Sequence, residues 1–213
     1  MYVGRIVAIG RNFEGRLCVL YRVSSRSFPN REAKILKGGV AILPKPGYEH
    51  ELQDNPFVAY NCLYVDGNFA LVSNGSQTDT LTTKLRNRCS MRDALITVLH
   101  TFDYEHDTLS TPRIAAIVEA GTNYGFLGII TKESLGVRRF ELVKGQVIYI
   151  ATYEHNFPNE SFSDNNFDVT TAEAACNYIL GRGVFSTLEK PITAACAIEA
   201  DAGKFNIAVA NAE

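Results

Sequence analysis

An α+β fold is what this 213-residue sequence predicts. Three observations carry the prediction. Runs rich in β-branched and aromatic residues dominate, few stretches show helical periodicity, and the two kinds of element come in blocks without strict alternation. Residues 2–9 and 17–23 are β-rich runs separated by Gly10-Arg11-Asn12-Phe13-Glu14-Gly15, which reads as a hairpin turn. Residues 40–43 form a short strand that stops at Pro44. Residues 57–65 and 69–73 flank Asp66-Gly67-Asn68, a strong hairpin signal. Residues 80–88 have a helical pattern. A second helix opens at Ser90, with Asp93 completing a capping-box pattern and Met91, Leu95, Val98, Leu99 and Phe102 forming an apolar stripe. Strands return at 113–119, 126–130, 137–142 and 146–153. Residues 156–168 are polar and aromatic and read as a long surface loop. Thr170 followed by Glu173 opens another helix, with Gly181 or Gly183 as its stop. Strands at 192–199 and 205–209 close the chain around Asp201-Ala202-Gly203. With no repeat and no Pro- or Ser-rich linker, residues 1–213 are expected to form a single domain.

The composition narrows the function. The formal net charge is -2, so a broad nucleic-acid-binding surface is not expected and any anion must be met by a local cluster. No apolar run approaches the ~20 residues that span a bilayer, so no membrane partner is expected. The first residues lack a signal-peptide pattern. Cys18, Cys62, Cys89, Cys176 and Cys196 are odd in number and none forms a C-x-x-C pair. A reducing, cytoplasmic setting is expected.

Residues 21–31 are the most informative segment, holding Arg22, Arg26 and Arg31 with Ser24, Ser25, Ser27 and Asn30. On an extended strand Arg22, Ser24 and Arg26 share a face, and two guanidinium groups flanking a hydroxyl suit a phosphate. A solvated basic face is the plainer alternative. Tyr60-Asn61-Cys62 lies within an expected strand, where Tyr60 and Cys62 share a face; packing explains both residues, and nothing local would activate Cys62 as a nucleophile. Asn74-Gly75 ends a strand in a turn, or else brings backbone N–H groups to an anionic or sugar-bearing ligand. Asp103-Tyr104-Glu105-His106-Asp107 follows a helix: a solvated acidic loop, unless one carboxylate turns into a pocket to transfer protons. A metal site from His100, Asp103 and Asp107 has no supporting ligand pattern. Arg113, entering a strand after Thr111-Pro112, is a surface arginine or a further anion contact. No Ser-His-acid order, Walker loop or dinucleotide fingerprint is present.

Taken together, Met1-Tyr2-Val3-Gly4-Arg5, residues 21–31, Ala59-Tyr60-Asn61-Cys62, and Val72 to Ser76 with Thr78-Asp79-Thr80 resemble the archaeal type of IMP cyclohydrolase. So do Asp103-Tyr104-Glu105, Thr111-Pro112-Arg113-Ile114-Ala115, Thr152-Tyr153-Glu154 and Ile192-Thr193-Ala194-Ala195. The matches run in order across nearly the whole chain. The resemblance implies a four-layer α-β-β-α sandwich of the N-terminal-nucleophile hydrolase type, with two mainly antiparallel sheets between helices. It implies ring closure of 5-formamidoimidazole-4-carboxamide ribonucleotide (FAICAR) to IMP, the last step of purine synthesis. Position 2 is Tyr, where those hydrolases expose Cys, Ser or Thr, so dehydrative acid–base chemistry fits better than an acyl-enzyme.

On this resemblance Glu105 is expected to move protons, Tyr60 to donate to the formyl oxygen and Arg22 to support charge there. Arg26 and Arg31, with Ser24 or Ser27, are expected to hold the 5′-phosphate, with Arg113 and the Asn74-Gly75 backbone as further contacts. No cofactor and no metal is expected; the partner is a small purine ribonucleotide, and a homo-oligomer is plausible for a β-rich sandwich with sheet edges. Two rivals remain: an amidohydrolase on the same fold using Cys62, and a non-catalytic purine-nucleotide-binding protein.

Overall fold

The computed structural model describes residues 1–54 and 56–212. Its strands are β1 (Ile6–Arg11), β2 (Leu17–Ser24), β3 (Arg31–Leu36), β4 (Gly39–Pro44), β5 (Tyr60–Asp66), β6 (Phe69–Ser73) and β7 (Arg113–Glu119). They continue as β8 (Tyr124–Ile130), β9 (Leu135–Glu141), β10 (Gln146–Ala151), β11 (Ser163–Asp164), β12 (Pro191–Glu199) and β13 (Phe205–Asn211). The helices are α1 (Glu51–Asp54), α2 (Gln77–Arg86), α3 (Met91–Phe102) and α4 (Ala172–Gly181). The described residues thus form an α+β fold with two antiparallel sheets, ordered β11-β10-β1-β2-β12-β13 and β3-β4-β5-β6-β7-β8-β9.

Period-two alternation sorts side chains between layers. In β1 and β2, Val7, Ile9, Val19, Tyr21 and Val23 enter the core shared by the two sheets. Their neighbours Ile6, Ala8, Cys18 and Leu20 join Ala175, Cys176 and Ile179 in the core beneath α4. On the second sheet, Leu71, Ala115 and Ile117 face Leu81, Leu95 and Leu99 of α2 and α3. Burying each large apolar side chain stabilises the fold by roughly 1.5–3 kcal/mol, and three contiguous cores hold the sheets and helices in order.

Local signals mostly mean what they predict. Gly67 takes φ 59° in the β5–β6 turn, where Asp66 pairs with Phe69, the geometry of a tight hairpin. The Ser90 side chain accepts from the Asp93 N–H at 3.1 Å and caps α3. The cap of α4 is Thr171, one residue later than expected, accepting from Ala174 N–H at 3.1 Å. Helix α2 starts at Gln77, three residues before the expected stretch, because its first turn is polar yet buried. Strand β3 was not anticipated: at the sheet's edge it exposes Lys34, Ile35 and Leu36 in succession and shows no alternation there. Expected strands at 2–9, 57–65 and 146–153 are shorter than predicted. The residues shed at 2–5, 57–58 and 152–153 instead bend toward one end of the molecule.

Candidate active site

At that end, segments leading into β1, β3, β5 and β7 meet those leaving β2 and β10. They enclose a narrow cleft of about 60 Å³, lined by charged side chains including Arg5, Arg31 and Glu105 and by the aromatic rings of Tyr2, Phe28 and Tyr153. A wider groove of about 570 Å³ lies beyond Leu109 and Tyr153, which line both. The buried charges lie in the smaller space.

Glu105 is the centre. It is only 2 % exposed. The loop of 103–112 that carries it is pinned by its own backbone: Glu105 N–H donates to the Thr111 carbonyl at 2.8 Å. Asp107 accepts from the Thr111 N–H at 2.8 Å and the Thr111 hydroxyl at 2.7 Å. The carboxylate lies between two arginines, with Oε2 accepting from Arg5 Nη2 at 3.3 Å and Oε1 3.6 Å from Arg113 Nη1. That last distance is an ion pair and not a hydrogen bond. Oε1 therefore has no hydrogen-bond partner, and neither do Nε of Arg5 and Nε of Arg113, although all three atoms are buried. Buried polar groups are normally paired, and two of these three side chains, Arg5 and Glu105, line the cleft.

Burial raises the Glu105 pKa above the ordinary carboxylate value. Arg5, Arg113 and Arg31 oppose that shift, and Asp107 adds to it. Burial works against the Arg5 charge, but Glu105, Tyr60 and Tyr21 outweigh it and hold the guanidinium firmly protonated. For Arg113, burial dominates and lowers the pKa, with Glu105 pulling the other way. The result is a buried carboxyl beside fixed positive charge.

Arg113 is aimed by a buried network. Its Nη1 donates to Gln77 Oε1 at 2.8 Å, and Gln77 Nε2 donates to Ser73 Oγ at 2.6 Å and Asn74 Oδ1 at 3.0 Å. Asn74 also donates to the Pro112 carbonyl at 2.9 Å and accepts from Ile114 N–H at 2.8 Å. Gly75 lies directly beneath: a Cβ there would sit 2.6 Å from Arg113 Nη1 and 3.3 Å from Glu105 Oε1. Asn74 and Gly75 thus support the charged pair from below.

Tyr60 is 9 % exposed, and its hydroxyl is 2.6 Å from that of Tyr21. Burial raises the Tyr60 pKa, while Arg31, Arg5 and the Tyr21 hydrogen bond pull it down. Arg31 lines the cleft with Nε donating to the Phe28 carbonyl at 3.1 Å, and Ser27 lines it as well.

Three expected residues lie elsewhere. Arg22 and Ser24 do share a face, but parity turns that face toward α4, away from the cleft. Arg22 is fully buried there. Its Nη1 donates to the carbonyls of Ile179, Leu180 and Phe185 and its Nη2 to those of Leu188 and Glu189, while Nε donates to Ser24 Oγ at 2.9 Å. It satisfies carbonyls left over at the end of a helix, a structural task. Arg26 is exposed on the rim, where it donates to Glu189 at 2.9 Å and covers the Tyr2 ring at 4.4 Å. Among the described residues no three His, Cys, Asp or Glu side chains are grouped to hold a metal. Cys62 is buried, and burial drives its thiol pKa well up, so it is a poor thiolate nucleophile.

Sequence reasoning assigned no role to Arg5, Tyr21 or Gln77. Arg5 had one available signal, a lone arginine at the mouth of an apolar strand. Tyr21 and Gln77 had none, since a core tyrosine and a polar first-turn residue are commonplace.

The chain is 43% identical over 202 residues to the IMP cyclohydrolase of Methanocella arvoryzae, covering 94% of each. It is 38% identical over 201 residues to that of Methanosphaera stadtmanae, covering 94% of this chain and 96% of the relative. It is 39% identical over 203 residues to that of Methanocaldococcus jannaschii, covering 93% and 94%. The sequence profile of the IMP cyclohydrolase-like proteins matches residues 2–203. With that match spanning nearly its whole length, the chain belongs to the IMP cyclohydrolase-like family.

Proposed function

We propose that this chain is an IMP cyclohydrolase that closes FAICAR to IMP with loss of water, and that Glu105 is the group that moves the protons. The observation that carries this reading is the enclosed carboxylate between Arg5 and Arg113, with Arg5 and Glu105 lining the cleft and one buried, unpartnered polar atom on each of the three side chains. In the reaction the carboxamide nitrogen attacks the formyl carbon. Glu105 takes the nitrogen's proton as the N–C bond forms, and Tyr60 supplies a proton to the formyl oxygen. The resulting hydroxyl leaves as water, carrying the proton Glu105 returns, while the lone pair on the former formamide nitrogen forms the new C=N bond. The proton that this second nitrogen sheds restores Tyr60. Arg31, whose charge bears on both Tyr60 and Glu105, takes the electrostatic role expected of Arg22. Orienting the two substituents contributes up to ~7–11 kcal/mol in well-aligned intramolecular reactions, and general acid–base help a further factor of about 10²–10⁴ in rate.

The 5′-phosphate is assigned to the rim, where Ser27 lines the cleft and Arg26 can leave Glu189. A nucleotide needs several hundred Å³, so Tyr2, Tyr153 and the exposed Leu109 must part to admit it. The two sheets with helices on their outer faces support the four-layer N-terminal-nucleophile hydrolase type, used without a nucleophile at position 2. A single domain, a cytoplasmic location, a small-molecule partner without nucleic acid, and a homo-oligomer complete the reading. Exposed Ile35, Leu36 and Leu135 on the edge strands β3 and β9 support association.

The test is the ultraviolet change on mixing the purified protein with FAICAR. The wild type turns over, and Glu105→Gln loses about 10²–10⁴ in kcat while still binding substrate. Near-normal turnover in Glu105→Gln overturns the assignment. Tight nucleotide binding without wild-type turnover would make this a binding protein.

A further inference from the structure

Two tyrosines meet across the gap between the sheets. Tyr21 belongs to β2 in the first sheet and Tyr60 to β5 in the second, and both point into the shared core. Their hydroxyls are 2.6 Å apart and their rings meet edge-on, 76° between planes. Among the described residues neither hydroxyl has another hydrogen-bond partner. Each phenol carries one proton, so one O–H serves the mutual bond and the other is surplus.

The surroundings decide which is which. Tyr21 is completely enclosed, whereas Tyr60 keeps 9 % exposure and feels the charges of both Arg31 and Arg5. A surplus donor on Tyr21 would be stranded in an apolar core, an expensive arrangement. A surplus donor on Tyr60 can be used by a ligand. Charge points the same way: against the rise that burial imposes, Tyr60 has both Arg31 and Arg5, whereas Tyr21 has Arg5 opposed by the neighbouring Tyr60.

We infer that Tyr21 is a positioning residue, which donates to the Tyr60 hydroxyl and so directs the Tyr60 proton into the cleft. The inference rests on the acid role proposed for Tyr60. Tyr21 never touches substrate. It holds the Tyr60 oxygen in place, and it stabilises the charge that builds there as Tyr60 gives up its proton. The effect belongs to the transition state more than to the bound ground state, so it should appear in kcat and not in KM.

Steady-state kinetics of Tyr21→Phe, Tyr60→Phe and the double variant test this, with thermal unfolding of each as the control for folding. Tyr21→Phe is expected to lose about tenfold in kcat, the worth of one hydrogen bond made stronger in the transition state, with KM within about twofold. The double variant is expected to match Tyr60→Phe, because Tyr21 acts only through Tyr60. An unchanged kcat in Tyr21→Phe beside a slow Tyr60→Phe overturns the inference and leaves the acid role standing. So do independent, multiplying losses in the double variant. An unchanged kcat in Tyr60→Phe overturns the acid role itself. If Tyr21→Phe unfolds, Tyr21→Met replaces it, filling the core without a hydroxyl, and the same kcat-against-KM comparison decides.

Discussion

Gly75→Ala adds one methyl group and should cripple the cleft without replacing any charged residue. The added Cβ would stand 2.6 Å from Arg113 Nη1, 2.6 Å from Gln77 Oε1 and 3.3 Å from Glu105 Oε1. Ordinary contact needs about 3.5–4.0 Å, so the guanidinium and the amide must each retreat by about 1 Å. Neither has room, because Arg113 is 6 % exposed and Gln77 is fully buried. The retreat breaks the 2.8 Å bond between them and moves Arg113 relative to Glu105. A hydrogen bond to a charged group is worth about 1.5–3 kcal/mol, and displacement by ~1 Å in a reacting geometry can cost 10²-fold. Both figures put the expected loss in kcat/KM between about 10- and 100-fold. The assay is turnover of FAICAR alongside thermal unfolding. Wild-type kcat/KM in a folded Gly75→Ala protein would refute the reasoning, since it would mean that the Arg113–Gln77 contact does not position the site.

Arg22→Met should separate structure from catalysis: it strands carbonyls at 179, 180, 185, 188 and 189 and should cost at least about 3 kcal/mol in urea unfolding, while the folded fraction keeps its turnover. Lost turnover at unchanged stability would return Arg22 to the chemistry. A pH profile tests the Glu105 environment. The base must be ionised, so kcat/KM falls as pH drops through a Glu105 pKa that burial has raised above the ordinary 4.5. Arg5 is the largest force opposing that rise, so Arg5→Met should move this acid limb further up; a limb that stays or moves down contradicts the assigned electrostatics. The same raised pKa means the folded chain holds the proton more tightly than the unfolded one. The stabilising contribution of Glu105 is therefore fully present below the ordinary value and is lost as pH rises through the raised one, which pH-dependent urea unfolding can read.

Much of the fold was legible because its signals are local. The Asp66-Gly67-Asn68 hairpin, the Ser90 cap and most strand runs depend on residues close in sequence. Edge strand β3 was not legible, because a strand with one open edge can expose Ile35 and Leu36 and lose its alternation. Within the site, Glu105, Arg31, Ser27 and Arg113 stood out as charged or polar residues in otherwise strand-like or helix-adjacent segments, and the structure brings them to one cleft or its immediate wall. Arg22 shows the limit. Sequence parity correctly places it with Ser24 on one face of β2, but parity has no sign: it cannot say whether that face meets the other sheet or a helix. That choice belongs to the packing of α4, 150 residues further along. Tyr21, on the opposite face of the same strand, was for the same reason turned inward to meet Tyr60 across the sheets. By itself, then, the sequence determined most of the strand and helix content, the hairpins and which side chains share a face, because those follow from backbone periodicity and turn chemistry. Only the tertiary structure decided which face looks into the cleft, which arginines flank Glu105 and which tyrosines touch, because contacts between distant segments depend on how whole layers stack.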